Sequence, residues 1–311
     1  MEDLAHDTDE AAAGQDGPPP HLLPGPPPHL LPGPPPHLLP GPAAHAARLT
    51  GGAANTVWLV TLADGGRVVV KCTPALAPDA YAKEAQGLQA LRTHGALSTP
   101  RVLALHPDGL VLEALEQPPA HDPGFWERAA HALAGLHATT GQRFGWTEDG
   151  WLGRLAQRNP WTEDGHEFFA RHRLLRYLDE PLARQALGPR GRADLERVCD
   201  RLPQLLPAAP PVLTHGDLWH GNILARPDAT PAFIDPAVCW TWAETDLSMM
   251  FCTGGVPARF FDAYREHHPL TDGWQDRMRL LHLREQLSCA AHFGARDGHT
   301  GDLLDVLRTY R

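Results

Sequence analysis

The chain has 311 residues, of which 42% are hydrophobic, and this is enough material for one sizeable core or two lobes. Its net charge of −10 disfavours a nucleic-acid partner, because binding to a phosphate backbone needs an excess of positive charge. The five cysteines are scattered without a C-x-x-C motif and no apolar run approaches the roughly 20 residues that span a bilayer, so we predict a soluble cytoplasmic protein without a membrane partner.

Residues 1–42 have a repetitive, low-complexity sequence. The octapeptide GPPPHLLP occurs three times, at residues 17–24, 25–32 and 33–40. Proline fixes φ and lacks a backbone donor, so the repeat predicts a disordered or polyproline-II-like arm. Histidine recurs every eight residues and could form a weak metal-binding tract, but we favour repeat expansion without a selected role. We exclude this arm from the fold and expect its deletion to leave turnover within about twofold.

From Arg48 the composition changes to segments typical of strands and turns, and we place a first lobe at residues 43–116. Two strands flank a hairpin turn, ADGG, at residues 63–66. The second strand is β-branched and ends on Lys71, a position where a lysine is usually a solvated edge charge. Gly51 and Gly52 precede the first strand and could contact phosphate, although glycine pairs are also common in turns.

A helix is predicted at residues 78–95, with a proline near its start and a glycine at its end. Glu84 projects from the apolar stripe of this helix rather than from its polar face. A buried carboxylate needs a cation, and the nearest candidate upstream is Lys71. Such a pair orients phosphates in protein-kinase-like enzymes, whereas the alternative is a solvated Glu84 at the rim of the stripe.

Two further short strands are predicted at residues 100–116, and a proline-rich linker follows them. The order of these segments fits a five-strand, one-helix lobe followed by a hinge, and four of the strands are placed by the patterns above. We predict that this lobe binds nucleotide and that the hinge backbone from Glu113 to Leu115 receives adenine. The remaining residues, 117–311, form the predicted catalytic and substrate lobe.

The segment THGDLWHGNILARPDATPAFID carries the strongest chemical signal. Asp217 and Asn222 follow His215 with the spacing H-x-D-x-x-x-x-N of the kinase catalytic loop, and Asp235 ends the next strand. Phosphoryl transfer needs an acceptor for the proton of the attacking hydroxyl, for which Asp217 is suited. Mg²⁺ is a hard cation that prefers carboxylate and amide oxygens, which Asn222 and Asp235 supply.

The chain resembles the fructosamine kinases, also called ketosamine kinases, of the protein-kinase-like superfamily that includes aminoglycoside and choline kinases. The resemblance extends from about Gly51 to the C-terminus. It rests on the motifs TGGAANTVW, VVVK, HGDLWHGN, FIDPAV and AETDLSMM. The segment NPWTEDGHEFFARHRL, residues 159–174, is the most discriminating, because generic kinases have no counterpart to it.

The resemblance implies an α+β, bilobal protein-kinase-like fold, with a small antiparallel-sheet lobe and a larger, mainly helical lobe. It implies ATP and Mg²⁺ as cofactors, and phosphorylation of a ketosamine at its third carbon, which promotes deglycation. His215 and Asp246 are expected to brace the catalytic loop. The implied site consists of Asp217 as base, Asn222 and Asp235 as metal ligands, Lys71 and Glu84 as the phosphate-orienting pair, and Trp219 in the sugar pocket. His220 departs from the family pattern, because many relatives carry a small residue there, and we expect it to contact the substrate beside Trp219.

Two alternatives stay open at this point. One is another small-molecule kinase of the superfamily, and the other is a catalytically silent kinase-like protein that binds partners through its proline-rich arm. The sequence leaves the oligomeric state and the amine carrier of the ketosamine, a free amino acid or a protein lysine, undecided.

Overall fold

A computed structural model describes residues 33–49, 55–73, 76–122, 124–296 and 298–311. These residues form two lobes, one built around an antiparallel sheet and the other mainly from helices. The predicted α+β bilobal architecture is therefore confirmed.

The small lobe is a five-stranded antiparallel sheet with one helix, α1, inserted between its third and fourth strands. The strand order is β1-β2-β3-β5-β4. The predicted ADGG turn closes the hairpin between the second and third strands. The elements are β1 (Ala43–Leu49), β2 (Thr56–Leu62), β3 (Arg67–Cys72), α1 (Ala80–Gly95), β4 (Val102–His106) and β5 (Gly109–Glu113).

The two faces of this sheet have different neighbours, because side chains alternate along a strand. On β3, Val68, Val70 and Cys72 enter an apolar cluster on the outer face. The intervening Val69 and Lys71 line the cleft between the lobes. A lysine at the end of this strand is consequently buried on the cleft side and is not a solvated edge charge.

In its described residues, the large lobe holds the main hydrophobic core and three two-stranded sheets. Its longest helix is interrupted at Gly188, which has a φ of 60° and precedes a proline. No helix among the described residues is both long and apolar enough to cross a membrane. The elements are α2 (Gly124–His137), β6 (Gly150–Leu152), β7 (Leu155–Gln157), α3 (Gly165–Phe169), α4 (Pro181–Leu205), β8 (Val212–Thr214), β9 (Ile223–Ala225), β10 (Pro231–Phe233), β11 (Cys239–Thr241), α5 (Ala243–Thr253), α6 (Ala258–His267), α7 (Trp274–Leu281), α8 (Leu283–Phe293) and α9 (His299–Tyr310).

The hinge after β5 is tied to the large lobe by backbone and side-chain hydrogen bonds. Glu116 and Ala225 exchange two backbone hydrogen bonds, of 2.8 and 2.9 Å. Arg226 donates to the Glu113 carboxylate at 2.9 Å and to the Thr99 carbonyl at 2.7 Å. One arginine of the β9–β10 hairpin thus fixes both the end of β5 and the segment that precedes β4.

The last copy of the repeat belongs to the fold, so excluding residues 33–42 was wrong. Pro36–Leu38 forms a turn of 3-10 helix, and Leu38 is 1% exposed in the outer-face cluster of the small lobe. The physical reason is that the outer face of the sheet needs an apolar cover, which the leucines of the repeat supply, and the fixed φ of proline suits a tight helical turn. Residues 1–32 lie outside the described part of the chain.

Deleting residues 1–42 should destabilise the protein, whereas deleting residues 1–32 should not. The longer deletion removes Leu38 from the cluster, and we expect the free energy of unfolding to fall by about 2–4 kcal/mol. The shorter deletion should change it by less than about 0.5 kcal/mol. Urea unfolding followed by circular dichroism measures both values, and equal stabilities of the two truncated proteins would contradict the packing described above.

Candidate active site

A cleft of about 1770 Å³ lies between the two lobes. Nine of the site residues predicted from the sequence line it. The other two, Gly51 and Gly52, lie outside the described residues. The nine are Lys71, Glu84, Glu113, Leu115, Asp217, Trp219, His220, Asn222 and Asp235.

Lys71 is the centre of the cleft's charge distribution. Its ammonium group donates to Glu84 Oε1 at 2.6 Å and also pairs with Asp235 across the lobe boundary. The lysine side chain is only 4% exposed. Burial alone would lower the pKa of Lys71, but Asp235 and Glu84 together raise this pKa above its ordinary value. Lys71 therefore stays charged and joins α1 to the segment that follows β10.

Asp235 occupies an unusual backbone conformation at the end of β10. Its φ is 57°, in the left-handed region that non-glycine residues rarely adopt, and such residues concentrate at functional sites. The next residue, Pro236, packs against α1, because a Cβ atom added at Gly87 would lie 3.0 Å from Pro236 Cγ. The turn is therefore wedged between the lobes, with the Asp235 carboxylate held beside Lys71.

The catalytic loop brings Asp217 and Asn222 together. Asn222 Nδ2 donates to the Asp217 carbonyl at 2.7 Å, so the amide oxygen of Asn222 is the atom available to a cation. Burial raises the pKa of Asp217 to about 7; Arg284 opposes the shift and the nearby Asp235 adds to it. The loop also pairs with the strand that leads to Asp235, since Ile234 donates its N–H to the Asn222 carbonyl at 3.0 Å.

A buried polar network of the large lobe holds the start of this loop. Asp246 accepts the backbone N–H groups of His215 and Gly216 at 2.7 and 2.8 Å. His137 contacts the same carboxylate at 3.1 Å and the Tyr264 hydroxyl at 2.7 Å. The His215 ring accepts the Asp217 N–H at 3.3 Å and pairs with the Ile234 carbonyl at 2.9 Å. His215 and Asp246 therefore both brace the loop as predicted, and His137 is a hydrogen-bonded core histidine as predicted.

A second brace was missed by sequence reasoning. Arg284, buried on α8, donates to the Gly216 carbonyl and to Gln157 Oε1, both at 2.6 Å. Gln157 in turn donates to the Ala237 carbonyl at 2.9 Å. Gly216 has a φ of 81°, and a Cβ there would lie 2.0 Å from the Ala237 oxygen, which explains why glycine stands where kinases usually carry arginine. The only sequence signal was a charged residue within an apolar helix.

Trp219 and His220 form one wall of the cleft. The Trp219 ring lies over Gly221, where a Cβ would approach ring carbons to 2.2 Å. His220 meets the Trp219 ring edge-on, with 5.0 Å between ring centroids. Its Nδ1 pairs with the Gly254 carbonyl at 3.1 Å. His220 therefore supports the tryptophan ring; both residues line the cleft, and their contact with a sugar stays a prediction.

We expect adenine to contact the backbone around Glu113 and not the side chain of this residue. Its carboxylate is already occupied, with Oε1 accepting from Arg226 at 2.9 Å and Oε2 from the Arg101 N–H at 3.0 Å. This leaves the main chain of residues 113–115 at the cleft wall, and adenine binding there stays a prediction.

The discriminating segment, residues 159–174, supports the large lobe from inside. Arg173 donates to Asn159 Oδ1 at 2.6 Å, and its guanidinium lies 4.4 Å from the Phe168 ring centroid. Phe168 and Phe169 are fully buried in the main core. Asn159 also lines the cleft, so the segment connects the core to the site.

Comparisons with known proteins identify the family of this chain. The fructosamine kinase family model matches residues 40–305. The chain belongs to the fructosamine kinase family. It is 36% identical over 259 residues to a probable ketoamine kinase of Thermus thermophilus, covering 83% of this chain and 91% of the relative. It is 28% identical over 259 residues to a chloroplastic protein-ribulosamine 3-kinase of Oryza sativa subsp. indica, covering 79% and 73%.

A crystal structure of a protein assigned as a fructosamine-3-kinase of Thermobifida fusca superposes with a TM-score of 0.76. The two chains are 33% identical, with 86% of this chain and 93% of the other covered. The expected protein-kinase-like fold and the family resemblance are thereby confirmed. This fructosamine kinase family member is an ATP-dependent phosphotransferase that acts on a sugar hydroxyl of ketosamines.

Replacing Lys71 with Met should separate stability from activity. The substitution leaves two carboxylates without their cation, so we expect roughly 3 kcal/mol of destabilisation and a loss of most activity in a chain that is still folded by circular dichroism. Adding Glu84→Gln removes one of those charges and should restore part of the stability but no activity. Lys83→Met, which removes a pair with Glu148 at the cleft rim, should cost less than about 1 kcal/mol. An unfolded Lys71→Met protein would make the lysine's role structural.

Proposed function

We propose that this protein transfers the γ-phosphoryl group of ATP, with Mg²⁺, to the third-carbon hydroxyl of a ketosamine in the cytoplasm. Phosphorylation there would make the adduct prone to decompose and free the amine, so the purpose would be deglycation. The observation that carries the proposal is the convergence of five side chains from both lobes on one cleft. These are Lys71, Glu84, Asp217, Asn222 and Asp235.

The small lobe would bind and orient the nucleotide. The backbone of residues 113–115 would receive adenine, which places the phosphates towards Lys71 at the opposite end of the sheet. Glu84 holds the ammonium of Lys71 at 2.6 Å, so the lysine is already positioned before ATP binds. Its charge would then offset the negative charge of the phosphates during transfer.

Asn222 and Asp235 fit a hard divalent cation. Asn222 offers the oxygen of an amide group whose nitrogen already donates to the loop backbone. Asp235 offers a carboxylate held in place by a strained backbone. Asn222 and Asp235 would hold a Mg²⁺ ion there, and its positive charge would offset negative charge on the phosphates. Lys71 contacts the same Asp235 carboxylate, and this contact would keep the carboxylate oriented towards the phosphate end of the cleft.

Asp217 would accept the proton of the attacking hydroxyl. Its position depends on the loop backbone, which Asp246 holds at Gly216 N–H and Arg284 holds at Gly216 carbonyl. This double attachment keeps the carboxylate in place while a hydroxyl approaches, so that little reorganisation is needed during the reaction. Trp219 would pack against the sugar two residues further along the loop.

The far wall of the cleft, on α8 and the residue before it, would receive the polar end of the substrate. His282 Nδ1, Glu285 Oε2 and Gln286 Oε1 are buried atoms without a hydrogen-bond partner among the described residues, and the first two lie 3.6 Å apart, beyond hydrogen-bond distance. All three residues line the cleft. Buried polar atoms are normally satisfied, so these are suited to a ligand that carries hydroxyl and ammonium donors, as a ketosamine does.

The metal dependence of two mutants tests the proposed roles of the carboxylates. Asp235→Asn weakens a metal ligand, so higher Mg²⁺, or Mn²⁺ in its place, should partly restore turnover. Asp217→Asn removes the proton acceptor, and we expect a loss of roughly 10² to 10⁴ in rate at every metal concentration. Turnover is measured against each metal at saturating ATP and ketosamine. Rescue of Asp217→Asn alone would invert the assignment.

The substrate itself is tested with ribulosamine, fructosamine and erythrulosamine, alongside choline and an aminoglycoside. We expect turnover of ketosamines only, with the phosphate placed on the third carbon as read by phosphorus NMR. Gln286→Leu should raise the KM for the best ketosamine roughly tenfold, because a substrate donor loses its acceptor, and leave the KM for ATP unchanged.

Gln89→Leu, on the exposed side of α1, is the matched control and should change neither constant. Turnover of choline or the aminoglycoside in preference to every ketosamine would refute the proposed function. A rise in both KM values for Gln286→Leu would instead refute only the placement of the substrate.

A further inference from the structure

The third copy of the octapeptide GPPPHLLP, residues 33–40, packs on the outer face of the small-lobe sheet. Pro34 and Leu38 of this copy are buried. Leu38 shares its apolar cluster with Trp58, Val70 and Val111. We define the repeat groove as these three side chains together with the β4–β5 turn at residues 106–109.

The groove fits the repeat in shape as well as in polarity. His37 Nε2 pairs with Asp108 Oδ2 at 2.8 Å, and its ring meets His106 edge-on at 6.2 Å. A Cβ atom at Gly109 would lie 2.5 Å from Leu38 Cδ1, so glycine makes room for the leucine. A proline, a histidine and a leucine of the octapeptide thus contact the lobe together.

The other two copies carry the same three residue types at the same positions. They are Pro18, His21 and Leu22 in the first copy, and Pro26, His29 and Leu30 in the second. Because the sequences are identical, whatever affinity the groove has for one copy it has for all three. Only the length of chain that connects each copy to β1 differs.

We propose that the repeat groove is a receptor for this octapeptide, and that the copies at residues 17–24 and 25–32 replace the third copy in it, within the same chain. Docking the second copy adds eight residues to the connection to β1, and docking the first adds sixteen. Loop-closure entropy makes these registers roughly five and ten times less populated than the observed one. The two upstream copies therefore act as reserves.

The docked copy comes from the same chain because of its effective concentration. A short tether presents a copy at roughly millimolar concentration, far above that of arms on other molecules in dilute solution. Docking affects β3, because Val70 of this strand packs in the repeat groove while Lys71 faces the cleft. The groove stays covered even while the third copy is undocked, so the strand that holds the catalytic lysine stays packed.

Leucine-to-serine variants of the full chain test this exchange by hydrogen–deuterium exchange of the β3 amides, residues 67–72. The double variant Leu22→Ser/Leu30→Ser should keep wild-type protection within twofold. Leu38→Ser should lose only roughly fourfold, because the reserve copies dock in its place. The triple variant should lose at least about tenfold, since no copy can bury its leucine.

Equal losses in Leu38→Ser and in the triple variant would overturn the proposal, and so would unchanged protection in the triple variant. Protection of Leu38→Ser that returns only with rising protein concentration, together with a dimer mass by light scattering, would show exchange between chains and overturn docking within one chain.

Disulfide trapping provides a second measurement that keeps every leucine and does not depend on the variants' stability. Asp108→Cys is combined in turn with His37→Cys, His29→Cys and His21→Cys, and with Asp9→Cys as a control outside the repeats. We expect intramolecular cross-linking, mapped by peptide mass, to slow about fivefold and tenfold at the second and first copies. If cross-linking at those copies is no faster than at Asp9→Cys, random collision explains it, and the proposal is refuted.

Discussion

The ion pairs of Lys71 are the interaction on which the rest of the site depends. One ammonium group satisfies a carboxylate from α1 and another from the segment after β10, so it fixes the small lobe, its helix and the large lobe relative to one another. Without this cation the two carboxylates would repel each other, and Glu84, whose side chain is only 13% exposed, would also carry a desolvation cost. The cleft owes its shape to a charge balance that ATP and a metal would later modify.

The catalytic loop is held by groups that never need to touch a substrate. Asp246 fixes its backbone donors, and Arg284 fixes the carbonyl of the same glycine from another helix. Because both residues are buried and fully engaged, the loop is rigid before any ligand arrives. Fixed dipoles of this kind are what lower the barrier for charge movement in a transition state.

Sequence reasoning recovered what local patterns and ordered motifs encode. Periodicity and fixed spacing predicted four of the small-lobe strands, α1, the Lys71–Glu84 pair and the spacing of Asp217, Asn222 and Asp235, whereas β1 was not placed. The bond from Arg284 to Gly216 joins residues far apart in the chain, and no local period reports such a contact. Residues 33–42 were misjudged for a related reason: composition predicts whether a segment folds alone, whereas Leu38 is ordered by a sheet face that the segment does not contain.

The packing of Pro236 against Gly87 has a pharmacological consequence. In protein kinases a phenylalanine follows the metal-binding aspartate, and its packing distinguishes active from inactive states. Here a proline fills that position, with its ring in contact with α1 and its neighbour bound to Lys71. Pro236 has no large ring whose movement would open a second pocket next to the predicted nucleotide site. Inhibitors that bind by displacing such a ring are therefore not expected to act here. The α8 wall of the cleft would offer inhibitors an alternative contact surface.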